Sequence, residues 1–237
     1  MEKTYYGSIC AYFYDLDKPY APQDALIFYM SHAKQGDAIL EPMCGSGRFL
    51  VPFAQAGFDI DGFDVSADML ARIKHKLPAH AGSLNHCGFD LKPLRRYNYI
   101  FIPAGSFSLI TGDDDILTAL ANMKEWLAQD GKILVEVETD ANLAGYTAPP
   151  GPPSAVQDGS KTVVASSRFV GYNQEKSVVS TICMYGLMEN NQMVASQEED
   201  FCLKLYRGGE FEKYAEMAGL TVVNRFEKLD TVVYQLS

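Results

Sequence analysis

At 237 residues, with 47% hydrophobic and 21% charged residues, the chain is long enough for one large globular domain or one domain carrying a sizeable insertion. Twenty Lys and Arg against thirty Asp and Glu give a net charge of −10, which repels phosphate backbones and anionic lipid and argues against nucleic-acid or membrane partners. MEKTYYGSICAYFYDL lacks a signal-peptide core, no apolar run spans a bilayer, and five cysteines without a C-x-x-C pair fit neither a disulfide framework nor structural zinc. A cytoplasmic location with reduced thiols is expected.

The N-terminal YYGSICAYFYD places Tyr5, Tyr6, Tyr12 and Tyr14 ahead of the first strand. Two readings stay open: an aromatic lid over a cationic ligand, or an amphipathic helix packed on a sheet edge. Packing is the simpler reading for Tyr5, Tyr6 and Tyr12; for Tyr14 the two weigh equally. From Asp37 to about Glu138, short apolar runs alternate with helical periods. Ile39–Glu41 ends a strand, Arg48–Ala56 fits a helix stopped by Gly57, and Phe58–Asp64 is a second strand. Ser66 can cap a helix reaching Lys76, with Asp68 in its first turn and Pro78 beyond its end. Ser83–Gly88 is a weak strand and Tyr97–Pro103 a strong one. Asp113–Ala128 opens with three acids and continues as a helix, and Asp130–Gly131 turns the chain into the strand KILVEVE. Strands separated by helices predict βαβ units and a parallel sheet.

After Thr139 the composition changes. YTAPPGPPSAVQDGS reads as a connection or lid rather than an element. The runs TVVASSRFVGY, SVVSTICMYGLM and MVASQEEDFCLKLY, separated by NQEK and ENNQ, predict a three-stranded antiparallel meander. GGEFEKYAEMAGL is an amphipathic helix leading into a terminal strand pair, TVVNRFE and TVVYQLS. The expected architecture is a single α/β domain, Rossmann-like and doubly wound, with a mostly parallel seven-stranded sheet and an antiparallel insertion before the last helix. Within it, residues 1–36 form a helical lid, 37–139 a ligand-binding core, 140–206 a linker and the insertion, and 207–237 the final helix and strand pair.

The stretch ILEPMCGSGRFLVPFAQAGFDIDGFDVSADML, Ile39 to Leu70, concentrates the chemistry. In an open parallel sheet, ligands bind beyond the carboxyl ends of the strands, where strand order reverses. Glu41 and Asp64 both sit at such ends, and Gly45 and Gly47 permit a tight turn and a close approach. A ligand-free βα turn is one reading. A dinucleotide site is a second, but Leu50 fills the position where a third glycine belongs, and Glu41 would face a pyrophosphate. A cationic, phosphate-free nucleoside is the third. Glu41 complements its charged amino-acid end, Asp64 accepts from both ribose hydroxyls, and Met69 covers the base. Electrostatics favour this last reading.

These residues carry a family likeness. LEPMCGSGRFLVPFAQAGFDIDGFDVSADML resembles the first two motifs of class I S-adenosylmethionine-dependent methyltransferases, and CGFDLKPLRRYNYIFIPAGSFSLI is similar to their next two. The resemblance implies S-adenosylmethionine as cofactor, met by Glu41, Met43, Cys44, Gly45, Gly47, Asp64, Val65 and Met69. It also implies Asp90 and Leu91 near the adenine amino group and Pro103 and Ala104 beside the methionine end. Tyr14–Asp15 resembles the N-terminal helix that closes over the cofactor in members acting on small molecules. The inserted strands followed by LYRGGEFEKYAEMAGL match a subgroup with a β-insertion after the fifth strand. Met43 departs from the pattern, which usually has glycine there.

Outside the motifs, Ser106, Arg168 and Arg207 are candidates for substrate contact, the arginines through a carboxylate or, equally, through surface ion pairs with QEED. Cys44 lacks a partnering base and reads as packing. His32, His75, His80 and His86 lack metal-ligand spacing, and no metal is expected. The implied activity is methyl transfer to an amine or hydroxyl of a small molecule, by a monomer or homodimer. No catalytic base is assigned, since aligning nucleophile and methyl group can supply about 7–11 kcal/mol. The alternatives are a non-catalytic cofactor-binding sensor on the same fold and an NAD-dependent oxidoreductase.

Overall fold

The computed structural model describes residues 6–80 and 82–237; Tyr5 lies outside them. Two helices, α1 (Ser8–Asp17) and α2 (Gln23–Ser31), precede the first strand, β1 (Ala38–Pro42). There follow α3 (Leu50–Gln55), β2 (Asp59–Asp64), α4 (Ala67–Lys76), β3 (Leu84–His86), β4 (Tyr97–Ile102), α5 (Asp113–Trp126) and β5 (Leu127–Glu138). The chain then runs through α6 (Leu143–Thr147) and four strands: β6 (Ser154–Asp158), β7 (Lys161–Asn173), β8 (Val178–Glu189) and β9 (Gln192–Lys204). It closes with α7 (Glu210–Met217), β10 (Val222–Glu227) and β11 (Thr231–Leu236).

Seven strands form one sheet in the order β10-β11-β5-β4-β1-β2-β3. The pairs β1–β2, β2–β3, β1–β4 and β4–β5 are parallel, and β11 is antiparallel to both β5 and β10. Strand order therefore reverses between β1 and β4, the place where ligands bind in such sheets. The central strands are buried on both faces. One face carries Leu40, Ile100 and Ile102 against Ile116, Leu120 and Trp126 of α5 and Phe211 of α7. The other carries Ile39, Tyr99 and Phe101 against Tyr29 of α2, Phe53 of α3 and Ile73 of α4. Burial on both sides explains why these strands read as continuous apolar runs. Ser66 caps α4 as expected, its hydroxyl accepting from the Met69 N–H at 3.1 Å.

Two details differ from the sequence expectation. Asp130–Gly131 does not precede β5 but lies inside it. Tyr97 pairs with Leu127 and Tyr99 with Lys132, so the intervening residues loop out of the ladder, with Asp130 at φ +60°. The linker is also more structured than its composition suggests. Its prolines end at Pro153, and Ser154–Asp158 then forms β6, joined to β7 across Gly159 and Ser160. The antiparallel sheet thus has four strands, in the order β6-β7-β8-β9. The β8–β9 turn matches the reading of ENNQ. Asn190 and Asn191 take φ of +49° and +62°, the pair of left-handed residues that a two-residue hairpin turn requires.

Helix α1 lies against all four strands of this second sheet. Its first-turn N–H groups are satisfied from β9: Gly7 donates to Glu199 Oε1 at 2.8 Å, and Ile9 to Gln197 Oε1 at 2.8 Å. On its other side, Asp15 pairs with Lys76 of α4, whose Nζ also donates to the Ser46 carbonyl at 3.1 Å. The helix is fastened to the antiparallel sheet on one side and to α4 on the other. Among the described residues, no helix is long and apolar enough to cross a membrane.

Candidate functional site

The site begins where β1 and β2 end. Their register pairs Glu41 with Gly62 and Pro42 with Phe63, which sets the Glu41 and Asp64 carboxylates beside one cavity. The turn after β1 is tied back by Cys44 N–H to the Phe63 carbonyl at 3.0 Å and by Gly47 N–H to the Cys44 carbonyl at 2.9 Å. Gly47 has φ +81°, and a Cβ on it would meet Ile73 Cγ1 at 2.8 Å and Val51 Cγ2 at 2.9 Å. Only glycine fits there. Met43, the departure from the family pattern, adopts the left-handed conformation all the same, at φ +56°. Such a backbone costs a side-chain-bearing residue roughly 1–2 kcal/mol, and in return Met43 adds an apolar wall to the cavity.

Asp64 is held in one orientation. Its Oδ2 accepts from the Gly45 N–H at 2.8 Å and its Oδ1 from the Ser66 N–H at 2.8 Å. Burial raises its carboxyl above the ordinary value, while these two N–H groups act in the opposite sense. Each oxygen keeps a lone pair for a ligand hydroxyl. Glu41 is different. It is 2% exposed, and its Oε2 has no hydrogen-bond partner among the described residues. Burial, with Asp64 nearby, pushes its carboxyl well above the usual range. A buried, unpartnered carboxylate oxygen on a cavity wall is a demand for a donor, and a cationic one satisfies it best.

The cavity between these acids has a volume of about 350 Å³. Tyr14, Met43, Cys44, Gly45, Val65, Met69, Pro103 and Ala104 line it, and so does Ser106, a candidate for substrate contact. Gly47 sits in the turn rather than in its lining, and Asp90 and Leu91 do not line it either. Asp90 is exposed and accepts from the Gly88 N–H at 3.1 Å, and Leu91 packs on the core under α5. Their place is taken by Cys87, Gly88 and Phe89. The Phe89 ring stacks on Trp126 and meets Phe63 edge-on, fixing an apolar face where a flat base can lie. Arg48 and Asp115 also line the cavity, and so does Tyr6, for which packing is the simpler reading in sequence. Arg48 donates to the Tyr14 hydroxyl at 3.1 Å and to the Tyr20 carbonyl at 3.2 Å, so a cation stands between cavity and lid helix. Its place after G-S-G was the available signal. Cys44 is buried and its thiol is pushed well up, as befits a packing group rather than a nucleophile.

A second cavity of about 770 Å³ opens from the first, sharing Tyr6, Tyr14, Arg48, Ala104 and Ser106 as walls. It reaches under the antiparallel sheet, where Thr181, Cys183 and Tyr185 alternate on one face of β8 beside Phe201 of β9. Arg168 lines this space. Arg207 does not: its guanidinium donates to the Gln174 carbonyl, beside a separate hollow near β10 and β11. Ala104 sits at the junction with φ +57°. Its N–H donates to Glu136 Oε2 at 3.0 Å, and Glu136 also accepts from Tyr29, Lys228 and Thr231, each at 2.8 Å. Burial opposes the Glu136 charge, yet these partners hold its carboxyl below the ordinary value. Among the described residues no cluster of His, Cys, Asp and Glu is placed to hold a metal ion.

Known proteins share both the core and the outline. Residues 39–131 match the family model described as a methyltransferase domain. The dTDP-3-amino-3,6-dideoxy-α-D-glucopyranose N,N-dimethyltransferase of Streptomyces fradiae is 24% identical over 197 residues, covering 81% of this chain and 72% of that protein. Two other curated relatives are covered over 56% and 51% of their own length. The sugar N-methyltransferase KedS8 from Streptoalloteichus superposes with a TM-score of 0.75 at 16% identity, covering 99% of this chain and 94% of that one. An S-adenosylmethionine-dependent methyltransferase from Clostridium acetobutylicum gives 0.74 at 14% identity, covering 96% of each chain.

Proposed function

We propose that this chain, a class I S-adenosylmethionine-dependent methyltransferase, methylates the nitrogen of a small amine-bearing molecule, with an amino sugar as the favoured class. The observation that carries the cofactor half of this reading is the pair of carboxylates on one wall. Asp64 is locked by two backbone N–H groups with lone pairs to spare, and Glu41 has a buried oxygen without a donor. Asp64 would hold the ribose hydroxyls and Glu41 the positively charged amino-acid end, with Met69 and Phe89 as apolar walls for the base. A pyrophosphate would meet repulsion from Glu41, which speaks against NAD.

When bound, S-adenosylmethionine supplies a methyl carbon activated by a positively charged sulfur. The chain's own residues orient the acceptor and keep water out. Tyr6 and Tyr14 reach across both cavities from the N-terminal segment. The turn at Ala104, pinned by Glu136, divides the cofactor space from the acceptor space. Alignment of this kind provides much of the rate enhancement in a simple displacement. The nitrogen acceptor is supported by the named activities of the relatives, and the 770 Å³ space beside Ser106 leaves room for a sugar-sized molecule. The test is turnover. Purified protein with S-adenosylmethionine and a panel of amino sugars, free and nucleotide-linked, should release S-adenosylhomocysteine, and the same sugars with hydroxyl in place of amine should not.

A further inference from the structure

Glu138 lies at the carboxyl end of β5 and lines the larger cavity beside Ala104, Gly105 and Ser106. It is half-buried. Its Oε2 accepts from Asn142 Nδ2 at 2.8 Å. Its Oε1 rests against the Gly105 backbone, so closely that a Cβ on Gly105 would come within 2.8 Å of it. The neighbouring acid on the same strand, Glu136, already accepts four hydrogen bonds and has Lys228 as counter-ion. Glu138 has one donor and no ion-pair partner among the described residues. It is the carboxylate on this wall with capacity to spare.

We propose that Glu138 binds the acceptor nitrogen as an ammonium ion and takes its proton, leaving a nucleophilic amine beside the turn at Ala104. This rests on the reading of the chain as an amine methyltransferase and deepens it. An alkylammonium ion has no lone pair, so a proton must leave before nitrogen can attack. In the step, an N–H bond breaks and an O–H bond forms on Glu138; the electron pair stays on nitrogen, and Glu138 later returns the proton to water. Its surroundings suit that exchange. Burial and the negative charges of Glu136 and Asp230 raise the Glu138 carboxyl, against the opposing hydrogen bond from Asn142. The facing Tyr146 hydroxyl, pushed up to about 12 by burial and by Glu138 and Asp230, stays neutral. A hydroxyl acceptor offers no charge for this carboxylate to recognise.

The experiment uses a matched pair of sugars, dTDP-3-amino-3,6-dideoxy-D-glucose and dTDP-6-deoxy-D-glucose, titrated by calorimetry into the protein saturated with S-adenosylhomocysteine. The wild type should prefer the amino sugar by about tenfold or more, the scale of a hydrogen bond to a charged group. Glu138→Gln should lose the preference with its melting temperature and S-adenosylhomocysteine affinity unchanged, and Glu138→Asp should retain part of it. A Glu138→Gln protein that still prefers the amine, or a wild type that binds the two sugars equally or binds neither, would overturn the assignment. Binding of S-adenosylhomocysteine in the same samples reports separately on the cofactor reading.

Discussion

The seven-stranded sheet meets the cavities with its strand ends, whereas the four-stranded sheet meets them with a face. At the ends of β1 and β2, contacts come from backbone N–H groups, a left-handed turn and two acids, all fixed by the path of the chain. On the face of β8, contacts come from Thr181, Cys183 and Tyr185, which share a side only because strand residues alternate. A ligand read by strand ends must suit the fold itself. A ligand read by a face can change with single side chains, since the ladder beneath is indifferent to them. The first arrangement fits a fixed cofactor and the second a variable acceptor.

Substitutions at the two kinds of surface should separate accordingly. The largest effect is expected at Asp64→Ala, which removes a prepared acceptor and should weaken S-adenosylhomocysteine binding by about 1.5–3 kcal/mol in calorimetry; no alanine substitution on the β8 face should approach this. Next comes Glu41→Gln, expected to weaken S-adenosylmethionine binding about tenfold while raising the melting temperature of the cofactor-free protein at pH above the raised Glu41 value, where the wild type carries an uncompensated buried charge. Glu41 also sets a pH dependence. Its folded-state value lies above the ordinary 4.5, so its contribution to stability is fully present below pH 4.5 and is lost as pH rises through the raised value. A cation over the carboxylate draws that proton off. Affinity for S-adenosylmethionine should therefore rise with pH across the same window, and Glu41→Gln should flatten the curve.

Two smaller effects concern how the regions are joined. Gln197→Ala removes the β9 cap from the first turn of α1 and should cost about 1 kcal/mol, seen as faster hydrogen exchange over residues 8–17 with little change in the core strands. The smallest effect belongs to Lys161→Ala at the start of β7, where the two inner strands of the antiparallel sheet meet solvent. The Lys161–Glu189 pair is 3.4 Å apart and exposed on both sides, so its loss should shift stability by about 0–1 kcal/mol and leave both ligands unaffected.

The same contrast explains what could be read from the sequence. Strand ends, glycine turn and paired acids fall within Ile39–Leu70, and local spacing was enough to bring Glu41, Gly45, Asp64 and Met69 to one cavity, with Gly47 in the turn beside it. The β8–β9 turn was legible for a like reason, since paired asparagines tolerate left-handed torsions. Strand β6 was not, because prolines immediately before it mask a short, mostly exposed edge strand. Asp90 stands outside the cavity, which Cys87, Gly88 and Phe89 line instead; β3 is only three residues long, and the loop after it has no periodicity to show which side chain turns inward. Arg207 and Arg168 could not be told apart in sequence, because the register of the insertion decides which reaches the acceptor space. Glu138 did leave a trace. In KILVEVE, acids at alternate positions of a buried strand point to one common wall.

The central claim is that the crevice at the ends of β1 and β2 holds S-adenosylmethionine through Asp64 and Glu41. A crystal structure of the protein grown with S-adenosylhomocysteine tests it most directly. The expected result is both ribose hydroxyls on Asp64, the amino group against Glu41 and the base between Met69 and Phe89. A nucleoside bound elsewhere, with Glu41 still lacking a donor, would contradict it.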